Sequence, residues 1–346
     1  MKKTKRETKK TIYIIASLLT VLCLGGCGAK KAEAEEETIN LFAMDTIMSI
    51  TAYGENASEA LSEAKSEITD IENAVSATIE TSEVYKLNEE KKVTASEDTI
   101  SIIEQSLKIS EMTDGLFDVS IYPVMKAWGF TTEEYRVPSG DELNELLNFV
   151  DYTQINVDSE SNEVGIPEGF EIELGGITKG YTSSKIADIL RSDGVESALI
   201  NLGGNIEVVG SKIDGTDWRI GIEDPDNSGE YICAVAVSDK AVVTSGAYER
   251  YFEEDGEVYH HIIDPNTGYP ADSGVKSVSV ISSDGALADG LSTSLFIMGY
   301  DRAVEFWKEY GEDFDFIIVD DEDNIYVTEG IAENVTSERE IKLVTK

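Results

Sequence analysis

The 346-residue sequence predicts an α+β fold: mixed, largely antiparallel sheets with flanking helices, in a single large catalytic domain;. Segments whose apolar residues recur at helical spacing are interspersed with short strand-like segments in no regular order;. Several strand-like segments come in pairs joined by short turns, as at 197–209 and 314–327, which is typical of antiparallel hairpins;. The strict strand–helix alternation that predicts a doubly wound parallel sheet does not occur.

The N-terminal residues 1–26 have the pattern of an export signal. Six lysines and arginines precede an apolar segment at 11–24, which is short for a membrane span;. The segment ends in Leu24-Gly25-Gly26-Cys27, which resembles a bacterial lipobox, and an ordinary signal peptide with an incidental cysteine is the alternative. The lipobox predicts lipid attachment at Cys27, a charged tether over 27–38 and a domain over 39–346. We therefore expect a lipid-anchored protein on the extracytoplasmic face of the cell membrane.

The composition is strongly acidic, with a formal net charge of −40. Such a surface repels phosphate polymers and disfavours nucleic acid as a partner. A phosphorylated ligand would need a local cation or helix N-termini. Of the three cysteines, only Cys233 remains after signal removal and lipidation, so the mature chain is expected to hold no intrachain disulfide and no cysteine zinc site;.

Apolar spacing predicts the elements of the first half of the domain. They are a strand at 39–53 interrupted at Met44-Asp45-Thr46, a helix at 57–76, a loop or short helical turn at 82–88, and a helix at 97–112 capped by Ser96;. Packed irregular structure is expected around Pro123 and Trp128-Gly129-Phe130. Ser139 and Glu142 indicate a capping box for a helix ending near Phe149, and 151–165 a strand and hairpin;.

Two Gly-Gly turns are predicted in the second half. A strand within 171–180 would lead through the first turn into a helix at 181–190, and 197–209 would form two strands around the second;. A strand followed by a glycine turn and the start of a helix is an arrangement that can bind phosphate. The spacing of the glycines matches neither a P-loop nor a dinucleotide-binding fingerprint. The remaining predicted strands are 218–222, 231–237, 241–244, 277–281, 314–319 and 325–327.

Both histidines lie in the segment 241–298. Residues 258–263 alternate as a strand, so His261 should share a face with Tyr259 and Ile263 while His260 points the other way;. The turn at 264–268 should end this strand. Only one of the two histidine side chains can then point into a given pocket.

Asp289 and Thr293 lie one turn apart on a predicted helix at 286–298, so both side chains project from one face;. A carboxylate and a hydroxyl so placed offer two oxygens to a hard cation such as Mg²⁺. A solvated helix face with a short side-chain hydrogen bond is the alternative on spacing alone.

Taken together, these segments resemble the FAD:protein FMN transferase family, the ApbE-type flavin transferases. The resemblance covers nearly the whole predicted domain and rests on nine stretches in order. They are MDT (44–46), SEVYKLN (82–88), GLFDVSIYPVMKAWGF (115–130), ELGGITKGY (173–181), LINLGGNI (199–206), WRIGIEDP (218–225), TSGAYERYFE (244–253), HIIDPNTGYP (261–270) and ALADGLSTSLFIMG (286–299).

The resemblance implies an enzyme that cleaves FAD and transfers FMN to a threonine or serine hydroxyl of a partner protein, releasing AMP. The implied partner is an exported or membrane-bound redox subunit. Mg²⁺ would be held by the backbone carbonyl of Thr178 and by Asp289 and Thr293, and His261 would handle the proton or bind phosphate. Lys179 would hold phosphate or be solvated. The implied flavin contacts are Met44, Leu116, Phe117, Asp118, Gly175, Tyr181 and Ile263.

Four positions depart from the family pattern. Thr78 stands where some members have an aromatic near the flavin, and Glu173 replaces an aspartate. Thr178 replaces a small residue, which a backbone ligand tolerates. Ser292 stands where some members offer an acidic oxygen for a second metal.

Two other functions fit parts of the pattern. Water could replace the acceptor hydroxyl, which would give an FAD pyrophosphatase releasing FMN and AMP. A non-catalytic flavin-binding lipoprotein would not need His261, Asp289 and Thr293 together, so the three residues favour an enzyme.

Overall fold

The computed structural model describes residues 35–132 and 134–346; the predicted signal peptide and Cys27 lie outside them. The strands, numbered in chain order, are β1 (Glu36–Ala43), β2 (Thr46–Tyr53), β3 (Lys92–Thr94), β4 (Asn156–Asp158), β5 (Glu163–Gly165), β6 (Ser197–Leu202), β7 (Asn205–Val209), β8 (Trp218–Asp224), β9 (Asn227–Val237), β10 (Ala241–Gly246), β11 (Tyr251–Glu254), β12 (Glu257–His260), β13 (Val275–Ser282), β14 (Phe314–Asp320), β15 (Ile325–Thr328), β16 (Val335–Thr336) and β17 (Ile341–Val344).

The α-helices are α1 (Ala57–Val75), α2 (Glu83–Glu90), α3 (Glu97–Met112), α4 (Tyr122–Trp128), α5 (Gly140–Leu146), α6 (Gly175–Ser192) and α7 (Gly285–Tyr310). Ser96 caps α3 by accepting a hydrogen bond from the Thr99 N–H, as predicted;. Gly299 adopts φ 73° and kinks α7, directly after the predicted end of the helix at Met298;. None of the helices in the described part of the chain has the length and apolar character needed to span a bilayer.

A nine-stranded sheet forms the centre of the described chain, in the order β1-β2-β6-β7-β10-β13-β14-β15-β17. Its strand pairs are antiparallel except β15 and β17, which run parallel. Three smaller sheets, β16-β9-β8, β3-β5-β4 and the ribbon β11-β12, flank it. The α+β prediction with largely antiparallel sheets is therefore confirmed.

The large sheet buries both faces, because successive side chains of each strand point to opposite sides. On one face, Val243 and Val280 pack in the core that includes α3 and α7. On the other, Val242 and Ile281 pack against the β8-β9-β16 sheet. A helical layer and a sheet layer thus enclose the central strands, with α6 and α7 both in the helical layer.

The predicted strand at 39–53 is wrong as a single element, since the structure shows a hairpin of β1 and β2. Met44 and Asp45 adopt φ 49° and 58°, the left-handed conformation that a two-residue hairpin turn requires;. No glycine marks this turn, so alternation alone could not locate it. The hairpin pairs Glu36 with Tyr53, and the predicted tether over 27–38 therefore overlaps the first residues of β1.

The predicted strand within 171–180 is also wrong. Glu173 lies in a loop and its carboxylate accepts the Gly175 N–H at 2.8 Å, at the point where α6 begins. The first Gly-Gly pair is therefore the opening of α6 rather than a turn before it. The segment expected to be irregular around Pro123 is α4, because proline is tolerated in the first turn of a helix;.

Two further boundaries differ from the sequence prediction. The strand expected over 258–263 ends at His260, and the His261 N–H donates to the Arg250 carbonyl at 3.0 Å as the chain leaves the ribbon. The capping box of α5 is half formed. Ser139 accepts the Glu142 N–H, but the Glu142 carboxylate pairs with Arg136 instead of reaching back.

Two glycines allow α6 and α7 to cross at very short range. A Cβ atom at Gly180 would lie 2.1 Å from the Gly285 carbonyl oxygen and 2.7 Å from the Asp289 Cβ. A Cβ atom at Gly285 would lie 2.5 Å from the Gly180 carbonyl oxygen. Any other residue at either position would push the helices apart.

We expect Gly180→Ala to destabilise the fold by about 1–3 kcal/mol, because the added methyl group would overlap backbone atoms of α7. Urea unfolding measures this loss. Gly140→Ala is the matched control: its Cβ would lie 3.7 Å from the Tyr269 hydroxyl, and alanine is favoured over glycine in a helix;. Equal stability of the two variants would contradict the close crossing.

Candidate functional site

The crossing of α6 and α7 brings together residues that are 109 positions apart in the sequence. Asp289 of α7 is 5 % exposed, and its Oδ2 accepts the Gly180 N–H of α6 at 2.8 Å. One helical turn contains both Gly180 and Thr178, whose carbonyl accepts the Thr182 hydroxyl at 2.7 Å. Inside α6 the Thr182 N–H is the intrahelical donor to the same carbonyl, so a metal bound there would share or replace one of these hydrogen bonds;.

Thr293 follows Asp289 by one turn of α7 and faces β10. Its hydroxyl lies 3.3 Å from the Ser245 hydroxyl, which in turn lies 2.7 Å from the Ser292 hydroxyl. Ser292 donates to the Asp289 carbonyl within the helix at 2.8 Å. Ser292 is thus fully engaged in packing α7 on β10, at the position where some family members have an acidic residue.

The chemistry of these groups suits a hard divalent cation. Burial raises the pKa of Asp289, against the lowering effects of the Lys179 charge and the Gly180 N–H. Asp289 forms no ion pair with any residue the structure describes, so its ionised form is a buried charge without a direct counterion;. A carboxylate, a hydroxyl and a carbonyl are oxygen ligands of the kind Mg²⁺ prefers. In the described residues no cluster of three His, Cys, Asp or Glu side chains provides an alternative metal site.

The two histidines have different environments. His260 is 9 % exposed, and both ring nitrogens are engaged: Nε2 with the Ala271 carbonyl at 3.1 Å, and Nδ1 with the Ile262 N–H at 3.3 Å. The half-buried His261 places Nδ1 3.2 Å from the Arg250 carbonyl, which can only accept. Nδ1 therefore carries the hydrogen, and Nε2 of the neutral ring keeps its lone pair.

His261 remains uncharged over the whole physiological range. Burial, and then the positive charge of Arg250, lower its pKa to about 3. Lys179 acts in the same direction, which places its ammonium in the electrostatic neighbourhood of His261 as well as of Asp289. The histidine is therefore neutral at neutral pH rather than a cationic ligand for phosphate, and its Nε2 lone pair is free to accept a hydrogen bond.

The charge of Lys179 influences several acidic groups. Its charge acts on the buried Asp289, on Glu173 and on Glu249. Desolvation raises the pKa of Glu249 to about 7, opposed by Lys179 and assisted by Asp289, although part of this side chain reaches solvent. Lys179 forms no salt bridge shorter than 4.0 Å to a described residue, so it is positioned to attract an anionic ligand.

A buried carboxylate on β7 links α6 to α7 beneath the site. Glu207 is 3 % exposed, and its Oε2 accepts the hydroxyls of Ser183 at 2.8 Å and Ser184 at 2.9 Å. Ser184 also accepts the Gly285 N–H at 2.9 Å, at the first residue of α7. Asn205 approaches the same network, with its Oδ1 3.3 Å from the Ser183 hydroxyl. The network therefore fixes the spacing of the two helices.

The flavin contacts implied by the resemblance lie on several elements. Phe117 packs against its first turn, since a Cβ atom at Gly176 would lie 3.0 Å from the Phe117 ring. Leu116 is buried in the same core, and Met44 lies at the β1–β2 turn with its N–H on Glu72. Gly175 is exposed at the start of the helix, whereas Thr78 is exposed and bonds to Ser76.

Three of the residues implied as flavin contacts already contact other residues of the chain. The Asp118 carboxylate accepts the Ser120 N–H at 2.8 Å and the Tyr152 N–H at 3.0 Å, so it organises its own loop. The Tyr181 hydroxyl donates to Asp98 at 2.6 Å. Ile263 is buried beside Trp128 in a small aromatic cluster.

Sequence reasoning did not identify Ser245, Glu249, Arg250 or Glu207 as parts of this region. The first three lie in the stretch TSGAYERYFE, which contributed to the resemblance without any assigned role. Glu207 carried a detectable signal, because a lone carboxylate inside an otherwise apolar strand must find a partner;. Its partners on α6 could not be read from spacing.

A family model described as the ApbE family matches residues 44–318. This chain belongs to the ApbE family. The ApbE-family chain is 32 % identical over 331 residues to the FAD:protein FMN transferase of Treponema pallidum (strain Nichols), covering 88 % of this chain and 91 % of that protein. It is 35 % identical over 229 residues to that of Klebsiella pneumoniae (strain 342), covering 66 % and 70 %.

Solved structures share the fold of this ApbE-family chain. The ApbE protein of Thermotoga maritima superposes with a TM-score of 0.81 at 34 % identity, covering 88 % of this chain and 100 % of the other. The flavin transferase ApbE of Vibrio cholerae gives 0.76 at 27 % identity, covering 86 % and 98 %. The recognition of the family from sequence is thereby confirmed.

We expect the stability of the chain to depend on pH through Glu207. Burial raises its pKa from 4.5 to about 7 in the folded state. Between these values the folded chain holds a proton that the unfolded chain releases, so stability falls as pH rises, by at most about 3 kcal/mol. Urea unfolding between pH about 5 and 7 should show that the unfolding free energy falls less steeply with rising pH for Glu207→Gln than for wild type.

The exposed Glu338 provides the control, since Glu338→Gln should leave the decline unchanged. If the unfolding free energies of wild type and Glu207→Gln changed with pH in parallel, Glu207 would have the same pKa in the folded and unfolded states, which would contradict this prediction.

Proposed function

We propose that this chain is an FAD:protein FMN transferase that depends on Mg²⁺. It cleaves the pyrophosphate of FAD, attaches FMN through a phosphoester bond to a serine or threonine of an acceptor protein, and releases AMP. The names of its relatives support flavin transfer to a protein. The acceptor is proposed to be an exported or membrane-bound redox subunit.

One observation carries the metal-dependent part of the proposal. The buried Asp289 carboxylate is hydrogen-bonded to the turn of α6 that contains the Thr178 carbonyl, and Thr293 lies one turn further along the same face of α7. The oxygens of Thr178, Asp289 and Thr293 are the proposed ligands, and the charge of Lys179 acts on Asp289. When bound there, Mg²⁺ would neutralise the negative charge on the leaving phosphate.

The residues of the chain perform the other parts of the reaction. The acceptor hydroxyl oxygen forms a bond to the FMN phosphorus, and the phosphoanhydride bond to AMP breaks. The hydroxyl proton passes to Nε2 of the neutral His261, and AMP leaves with the bridging oxygen. Lys179 attracts the diphosphate into a chain whose net charge of −40 would otherwise repel it;. Loss of such a base typically slows a reaction by about 100-fold to 10,000-fold.

The experiment that tests this function mixes the purified domain with FAD and Mg²⁺, with and without candidate acceptor domains. We expect intact-mass spectrometry to show covalent FMN on one acceptor, with an equal amount of AMP. Asp289→Asn keeps the shape and the Gly180 hydrogen bond but removes the charge, and should abolish transfer at any Mg²⁺ concentration.

Asp301→Asn, an exposed position on the same helix beyond the kink, is the matched control and should retain transfer. Rapid AMP release without any labelled acceptor would instead indicate the pyrophosphatase. Tight FAD binding with no AMP would indicate a flavin carrier.

The proposed location is the extracytoplasmic face of the cell membrane, through a lipid on Cys27. The basic N-terminal segment and the lipobox-like sequence at 24–27 support it;. Cys27→Ser should move the protein from the membrane fraction to the soluble fraction of cells, measured by immunoblotting. Ser17→Ala in the same segment is the control; retention of Cys27→Ser in membranes would contradict lipid anchoring.

A further inference from the structure

The β11–β12 ribbon has one face packed and one face open. Phe252 and Tyr259, paired across the ribbon, lie 6.2 Å and 5.3 Å from Trp128 between ring centres. Because side chains alternate along a strand, Tyr251 and Val258 belong to the opposite face. They are 54 % and 57 % exposed, although both are apolar. The packed face makes the ribbon a firm platform. On the other face His260, which pairs with Tyr251, is buried against Phe296 and the Ala271 carbonyl, whereas Tyr251 and Val258 remain largely exposed.

The ribbon starts and ends at the site. Arg250 precedes β11 and His261 follows β12, and the two are joined by hydrogen bonds from the His261 backbone and ring to the Arg250 carbonyl. From this base the four-residue strands extend by about 13 Å. A two-stranded ribbon also leaves one unpaired edge on each strand, to which an extended segment can add;.

The ribbon is negatively charged. Its tip carries Glu253, Glu254, Asp255 and Glu257, and the sequence contains no lysine or arginine from 251 to 275. None of these four carboxylates forms a salt bridge to a described residue. Such a surface complements a basic partner and repels an anionic lipid surface.

We propose that the β11–β12 ribbon is the docking surface for the acceptor protein, and that it recognises a segment with apolar and basic residues beside the modified hydroxyl. The inference rests on the proposed function. An acceptor hydroxyl that reaches His261 Nε2 must belong to a segment lying at the base of the ribbon. The His261 ring lies on the side of Phe130 and Phe252, so a segment that reaches it must cross an edge of the ribbon to contact Tyr251 and Val258. Its basic residues then lie against the carboxylates of the tip.

The test uses an acceptor domain that the wild-type chain labels with FMN. Tyr251→Ser with Val258→Ser should raise the KM for the acceptor by about tenfold, the effect of losing one well-packed contact. Glu253→Lys with Glu257→Lys should raise it similarly and weaken its dependence on salt concentration. The KM for FAD and the slow release of AMP without acceptor should not change.

Matched controls lie on other sheets. Tyr231→Ser with Leu343→Ser alters side chains that are 72 % and 58 % exposed, and Glu338→Lys with Glu340→Lys reverses two exposed charges. These variants should retain the wild-type KM for the acceptor. Phe42→Ser with Ile47→Ser removes a strongly exposed apolar pair of the β1–β2 hairpin, at 71 % and 74 %.

The outcomes separate the two proposals. If the wild-type chain labels no acceptor, the proposed function itself is wrong. If it labels one and the ribbon variants keep the wild-type acceptor KM, or if only the Phe42 and Ile47 variant raises it, the docking surface is wrong. A rise confined to the ribbon variants supports it.

Discussion

The close contact between Gly180 of α6 and Gly285 of α7 is the constraint on which the site depends. Each glycine leaves room for the carbonyl oxygen of the other helix, closer than any Cβ atom would permit. The Asp289 carboxylate can therefore bond to the backbone of α6 at 2.8 Å. Glu207 holds the same crossing from the sheet below through Ser183 and Ser184. Asp289 and the turn of α6 that contains Thr178 are thus brought together by packing rather than by sequence proximity.

Electrostatics explain why this place is chemically distinct. The chain is acidic overall, yet the site combines a buried carboxylate without a direct counterion, the nearby Lys179 and an uncharged His261. A cation bound by Asp289 relieves the buried charge and makes the region attractive to a diphosphate. The Arg250 carbonyl sets the tautomer of His261, so the ring presents an acceptor nitrogen. In the proposed function, metal binding and proton transfer therefore fall to separate groups.

The sequence predicted those features that are set by local spacing. Asp289 and Thr293 share a helix face because they are one turn apart, and Ser96 begins α3 as a capping residue does;. Two local features were missed, because the Met44–Asp45 turn lacks a glycine and the start of α6 depends on the Glu173 side chain. Features that depend on distant residues were not predictable from local spacing. The Glu207 network joins three elements, and no spacing within one segment encodes it.

The most direct test of the central claim is a crystal structure of the domain grown with FAD and Mn²⁺ in place of Mg²⁺, with anomalous diffraction to locate the metal. We expect one peak bonded to the Thr178 carbonyl, Asp289 and Thr293 at about 2.0–2.2 Å, in contact with the diphosphate. A peak at another place, or none while FAD occupies the cleft, would contradict the account.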